Sequence, residues 1–371
     1  MGQGVRTVGV EEELLLVDLG TGRPRSVAGR VIDALSGDKP DDAGPDGGVE
    51  GELQRYMVET QSSVCTDLAD VADELRDWRH RVTVAAREAG AGSAALATSP
   101  VPGDGLITPK ARYLRMAERF GPTVQEVLTC GSHVHVGVDS DDEGVAVVDR
   151  IRAWLPVILA LSANSPFSDG RDTGYASYRA QLWERWPSAG PTEVFGSAAE
   201  YHRLVSSMVA SGVLLDDGMI YFDARLSHRY PTVEIRVADV CTDLADTMVV
   251  AAVCRGLVET AARSAAAGEP PLPVPTALLR LASWQASHDG LEGDLLDPAT
   301  MLPTPAADVV GRLVDEIRPA LDCFGDVELV ETGVSRLLAD GTGSTRQRRT
   351  FERTGQLVDV VAEAVRLTAS T

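Results

Sequence analysis

The chain reads as an α+β protein on three observations. Short segments of alternating apolar and polar residues, the mark of strands, concentrate before residue 240. Apolar residues on a helical repeat dominate after it. The strand-like segments also carry acidic, histidine and arginine pairs two residues apart, so each pair shares one strand face.

In chain order, Thr7–Val17 has Val8 and Val10, then Leu14 and Leu16, and is predicted as a strand crossing a glutamate triplet. Glu11 and Glu13 then point one way and Glu12 the other. Val31–Leu35 reads as a short helix, and Asp38–Gly48, rich in Asp, Gly and Pro, as a loop. Val49–Thr60 is predicted extended, and Asp67–Ala89 a helix with Leu68, Val71, Leu75, Trp78 and Val82 on one face. A small-residue strand at Ser93–Thr98, a helix at Pro109–Phe120, a strand at Thr129–Val138 and a helix at Asp142–Ala163 follow. Ser162–Arg179 is too rich in polar residues and glycine for an idle connector. A helix at Ala198–Ala210 precedes strands at Met219–Arg225 and Thr232–Val237. The remainder is helical: Leu244–Ala267, Thr276–Ser287, Ala306–Phe324, Val327–Ala339 and Ser344–Ala369. No composition shift marks a boundary, so residues 1–371 read as a single domain with a helical part from about 243 to 371. That part could cover the sheet or a partner copy in a homodimer.

The 371 residues include 55 acidic and 34 basic side chains, a net charge of -21. Nucleic acid and anionic membranes need clustered positive charge, so neither is an expected partner. Only Lys39 and Lys110 are lysines, neither in a glycine-rich phosphate loop. The five cysteines are scattered, odd in number and without a CxxC pair, which suits free thiols in a reducing compartment. No segment has the apolar length of a signal peptide or membrane span, so a soluble, cytoplasmic protein is expected.

The chemistry sits on the strands. Glu11 and Glu13 on one buried face would repel unless a cation or proton neutralised them, whereas on an exposed edge they would simply be solvated. Glu50 and Glu52 share a face; Glu59 has the opposite parity from Glu52 and joins it only if the chain bends between them. His133 and His135 form an H-x-H pair suited to a metal or phosphate, or to core hydrogen bonds. Glu234 and Arg236 share a face as a site pair or a structural ion pair. Together they describe a sheet with one polar face, where carboxylates would need hard cations, usually magnesium with nucleotide phosphates.

TVGVEEE (Thr7–Glu13), ELQRYMVETQSSVC (Glu52–Cys65), GSHVHVGV (Gly131–Val138), SANSPFSDGRDTGYASYR (Ser162–Arg179) and YPTVEIRVADVC (Tyr230–Cys241) occur in that order. The set resembles the type 2 glutamate–cysteine ligases, and within them the bacterial YbdK-type carboxylate–amine ligases, over nearly the whole chain. The resemblance implies a glutamine synthetase-like fold, a curved antiparallel sheet backed by helices. It implies ATP and Mg2+ as cofactors, with Glu11, Glu13, Glu52, Glu59, Glu234 and His133 as metal ligands. His135 would bond an ATP phosphate, and Arg236, with Glu234, would serve catalysis at the transferred phosphoryl group. Arg225 and Arg179 would contact nucleotide phosphates or substrate carboxylates, with Arg171 a further candidate. Ser168 stands where many relatives have an aromatic, and FDARLSHRYP departs from a W-D-I-R-P run while keeping Asp223 and Arg225. The implied reaction joins glutamate, through an acyl phosphate, to cysteine or another amine. A metal-dependent amide hydrolase built on His133 and His135 and a catalytically weak regulatory relative are the alternatives.

Overall fold

A computed structural model describes residues 5–36 and 47–370, so most of the predicted Asp38–Gly48 loop lies outside the described residues. Seven strands form the main sheet: β1 Val8–Val17, β2 Gly48–Gly51, β3 Met57–Gln61, β4 Gly92–Ala94, β5 Ser132–Gly137, β6 Ala224–Leu226 and β7 Thr232–Ile235. Their order is β2-β3-β1-β5-β7-β6, with β4 against the far end of β1, and every pairing is antiparallel. The α+β expectation is met: an antiparallel sheet backed by helices.

The alternation written in β1 decides which face is which. Val8 and Val10 join Val134, Val136, Val233 and Ile235 in an apolar layer behind the sheet. Helices Asp141–Ile151, Leu155–Ser162, Leu244–Ala266, Ala306–Phe324 and Val327–Asp340 complete that layer. The Leu244–Ala266 helix is apolar on most sides because it is enclosed by its neighbours, and Asp243 caps it by accepting from the Ala245 N–H at 2.9 Å. The helical C-terminal part therefore covers the sheet of its own chain.

Glu12 points into this back layer and is fully buried, as is its partner Arg79 on the Leu68–Glu88 helix. The guanidinium holds the carboxylate at 2.8 and 2.7 Å and bonds the Cys241 and Thr242 carbonyls at 2.7 and 3.0 Å. Thr247 adds a hydroxyl at 2.9 Å. Every charge here has a partner, which is the condition for burying one.

Four expectations are corrected. The predicted Asp142–Ala163 helix is two helices broken at residues 152–154. Pro156, at the start of the second, has no N–H to continue the first, and its ring crowds the carbonyl four residues back. Gly355, at φ 68°, likewise ends the Gly343–Thr354 helix before Leu357–Ser370 begins. Met219–Arg225 is strand only from Ala224, because Ser188 and Gly190 satisfy its earlier backbone groups. Val49–Thr60 is a hairpin, β2 and β3, and not one extended segment.

Candidate functional site

The registers assemble the polar face. Glu50 pairs with Glu59 and Glu59 with Glu13, so these three stand in a row across β2, β3 and β1. Glu11 pairs with His133, and His135 with Glu234, which in turn faces Arg225 on β6. The reversal between β2 and β3 removes the parity conflict between Glu52 and Glu59: on antiparallel strands of a hairpin, register decides the shared face. Ligand atoms of Glu13, Glu52 and Glu59 lie within 4.8 Å of one another, as do those of Glu11, Glu59 and His133, and of Glu11, His135 and Glu234.

Local electrostatics divide these groups. His133 Nδ1 meets Glu11 Oε2 at 3.0 Å, and His135 Nδ1 meets the Thr232 hydroxyl at 3.0 Å. His135 Nε2 lies 3.3 Å from Glu11 Oε1 but off a hydrogen-bond line, leaving that buried atom without a partner. Burial opposes ionisation of Glu11, yet His135 and then His133 hold it well below the usual carboxylate range. Burial, then the Arg236 charge, push His133 down to about 4, so it is neutral at pH 7. Burial acts the same way on His135, but Glu11 and Glu234 outweigh it and raise its pKa. Glu234 is held well below its ordinary value, against burial, by Arg236 and Arg225. Arg225 grips it at 2.7 and 3.1 Å, and Arg236 Nη1 bonds it while Arg236 Nε has no partner.

Glu13 and Glu59 behave oppositely. Burial, then Glu52, push Glu13 up to about 8; burial, then Glu11, Glu52 and Glu13, raise Glu59 well above the carboxylate range. Three convergent carboxylates with no guanidinium hydrogen-bonded to them are an all-oxygen donor set that fits a hard divalent cation. The imidazole-containing sets fit magnesium less well. Glu234, already balanced by two arginines, has the least need of a further cation.

The polar face lines a cleft of about 640 Å³. Its opposite wall holds residues that sequence reasoning passed over: Tyr113, Met116, Trp183, Trp186 and Tyr221. Tyr221 packs against Trp183 and Trp186 at 4.9 and 5.5 Å between ring centroids, and Arg236 lies 5.9 Å from the Trp183 ring. These residues come from separate segments, and nothing in the sequence around any one of them signals the wall. At the mouth, Arg229 reaches Glu50 at 3.5 Å, joining the β6–β7 turn to the opposite sheet edge.

Arg179 falls elsewhere. It is outside the cleft lining, 2% exposed, and donates to the Arg236 and Val237 carbonyls at 3.2 Å each. Its charge lies 3.9 Å from Asp239. Asp239 accepts from the Asn164 N–H and from Ser165 and Ser177 at 2.8, 2.7 and 2.8 Å, which explains the special residues of the Ser162–Arg179 segment: they wrap a buried carboxylate. Arg171 is exposed on a two-residue strand and also outside the cleft. Cys65, Cys130, Cys241, Cys254 and Cys323 form no disulfide, and none lines the cleft. Among the described residues no helix is long and apolar enough to cross a membrane.

The model of "Glutamate-cysteine ligase family 2" matches residues 7–363. The chain belongs to that family. A Streptomyces avermitilis family member described as "Putative glutamate–cysteine ligase 2-1" is 53% identical over 365 residues, covering 98% of this chain and 99% of its own length. Crystal structures share the fold at low identity. A glutamate–cysteine ligase from Francisella tularensis in complex with AMP superposes with TM-score 0.73 at 11% identity, over 99% of this chain and 89% of that one. A bifunctional glutathione synthetase from Pasteurella multocida gives 0.67 at 14%, over 98% and 51%.

Proposed function

We propose that this family member is an ATP-dependent carboxylate–amine ligase that phosphorylates the γ-carboxylate of glutamate and transfers the acyl group to an amine such as L-cysteine, giving γ-glutamylcysteine, ADP and phosphate. The observation that carries the reading is the meeting of Glu13, Glu52 and Glu59 with His135, Glu234 and Arg236 on one sheet face. Magnesium would be held first by Glu13, Glu52 and Glu59, with Glu11, His133 and Glu234 as the further ligands of the same face, and would supply the charge that neutralises the phosphates.

The chain's own groups do the rest. Thr232 fixes the His135 ring, so that Nε2 is offered to a phosphate oxygen. Arg236, anchored by Glu234 and keeping an unused Nε–H, lies against the transferred phosphoryl group, whose charge spreads over its oxygens in the transition state. Arg225, which lines the cleft, braces Glu234 and is itself anchored to the Ile220 carbonyl at 2.7 Å. Arg179 acts as a positioning residue, holding the carbonyls of Arg236 and Val237. A glutamate oxygen attacks the γ-phosphorus as the bond to ADP breaks. The amine nitrogen then attacks the acyl carbon, phosphate leaves, and the amine loses its proton to solvent. Trp183 and Tyr221 shield the acyl phosphate from water.

Purified protein with ATP, magnesium, glutamate and a panel of amines tests the reading through ADP release. Amine- and glutamate-dependent ADP supports it. ATP-independent amide cleavage would instead mark a metallohydrolase, and nucleotide binding without turnover a regulatory protein.

A further inference from the structure

Away from the cleft, a cavity of about 290 Å³ opens between helices Gly343–Thr354 and Leu357–Ser370. Arg346, Arg349 and Arg353 line it from one helix face, above Val360, Ala364 and Leu367. In a chain of net charge -21 this is an electrostatic exception. The lone acid in the lining, Glu363, is already held by Arg366 at 3.0 and 2.7 Å. Arg346 is committed to Asp246 and the Gly341 carbonyl. Arg349 donates to the Asp340 carbonyl at 2.7 Å, which leaves the rest of its fork open. Arg353 makes no hydrogen bond or ion pair among the described residues, though after Arg366 its charge also helps to hold the Glu363 carboxyl below its ordinary value.

Polar groups continue the lining below the arginines. Gln347 and Thr350, each 7% exposed, also line the cavity. Gln347 spends its Nε2 on Asn164 at 2.8 Å, while its Oε1 and the Thr350 hydroxyl make no hydrogen bond among the described residues and stay open to solvent at the cavity wall.

We propose that this cavity binds a small organic anion, a carboxylate or phosphate on a short apolar body. The Arg349 and Arg353 forks take the oxyanion, Gln347 and Thr350 its polar edge, and Val360, Ala364 and Leu367 the apolar part. The site shares no residue with the catalytic cleft. Its back wall nevertheless reaches the buried Asp239 network through the Gln347–Asn164 bonds.

Phenyl phosphate titrated into the full chain, followed by calorimetry and by Tm, tests the proposal. One-site saturable binding is expected, with inorganic phosphate bound more weakly. The double variant Arg349→Gln/Arg353→Gln, both exposed positions, should weaken binding about tenfold or more, a loss of roughly 1.4 kcal/mol, with an unchanged circular dichroism spectrum. Glu363→Gln should tighten binding a few-fold, and Glu52→Gln, in the cleft, should leave it unchanged. The proposal is overturned by absence of saturable binding, by equal affinity in the double variant, by loss on Glu52→Gln, or by equal affinity for inorganic phosphate.

Discussion

At the scale of single residues, the site sorts carboxylates by what neutralises them. Glu234 has arginines and Glu11 has histidines, whereas for Glu13 and Glu59 the Gly131 N–H and the Gln61 amide are outweighed by burial and by crowding with each other and Glu52. A carboxyl whose folded pKa lies above its unfolded value binds more protons when folded, so its contribution to stability is lost as pH rises. For Glu13 the window runs from the ordinary carboxylate range up to about 8. Ion-free protein should therefore lose Tm between pH 5 and 8, and magnesium should raise Tm more at pH 8 than at pH 6; an equal rise at both would refute the cation assignment. Glu52→Gln should leave the circular dichroism spectrum unchanged and reduce amine-dependent ADP release at least 100-fold, on the order expected for loss of a charge-stabilising group. The residue types at this site were legible from alternation alone, which places Glu11 with Glu13 and His133 with His135. What stayed hidden was Glu12, whose partner Arg79 is 67 residues away, and the aromatic wall, which no local pattern announces.

At the scale of elements, the parity conflict in Val49–Thr60 was a correct signal of a chain reversal. The turn itself was illegible because residues 52–56, ELQRY, contain none of the usual Gly, Pro, Asn or Asp turn residues. Helix breaks at Pro156 and Gly355 were written in the sequence and overrun by strong apolar periodicity on both sides. The glutamate triplet also locks register: a one-residue slip of β1 would turn Glu11 and Glu13 into the apolar back layer and strand Arg79 without its partner. Arg79→Met should cost about 3–5 kcal/mol in urea unfolding, as for any buried pair broken on one side, whereas Arg79→Met with Glu12→Leu should recover most of it. If the double variant is no more stable than the single one, the pair stabilises through more than charge compensation.

At the scale of the molecule, burial grades the thiols. Cys130, Cys241 and Cys254 are buried, with thiols pushed up by desolvation; Cys65 is half-buried, pushed up to about 11 by burial and Glu74; Cys323 is exposed. A maleimide reagent at pH 7 should label Cys323 first and Cys65 slowly, reaching the other three only in denaturant, as read by mass spectrometry. Early labelling of Cys241 would mean that the back layer opens. The bond from Thr247 to Glu12 spans 235 residues, which has a bearing on biogenesis. At ribosomal speeds of roughly 5–20 residues per second, about 12 to 47 s separate synthesis of the first strand from arrival of the helix that covers it. During that interval a strand carrying three acids lacks its long-range hydroxyl, and the same charges that line the cleft of the folded protein keep the nascent segment from pairing with other chains.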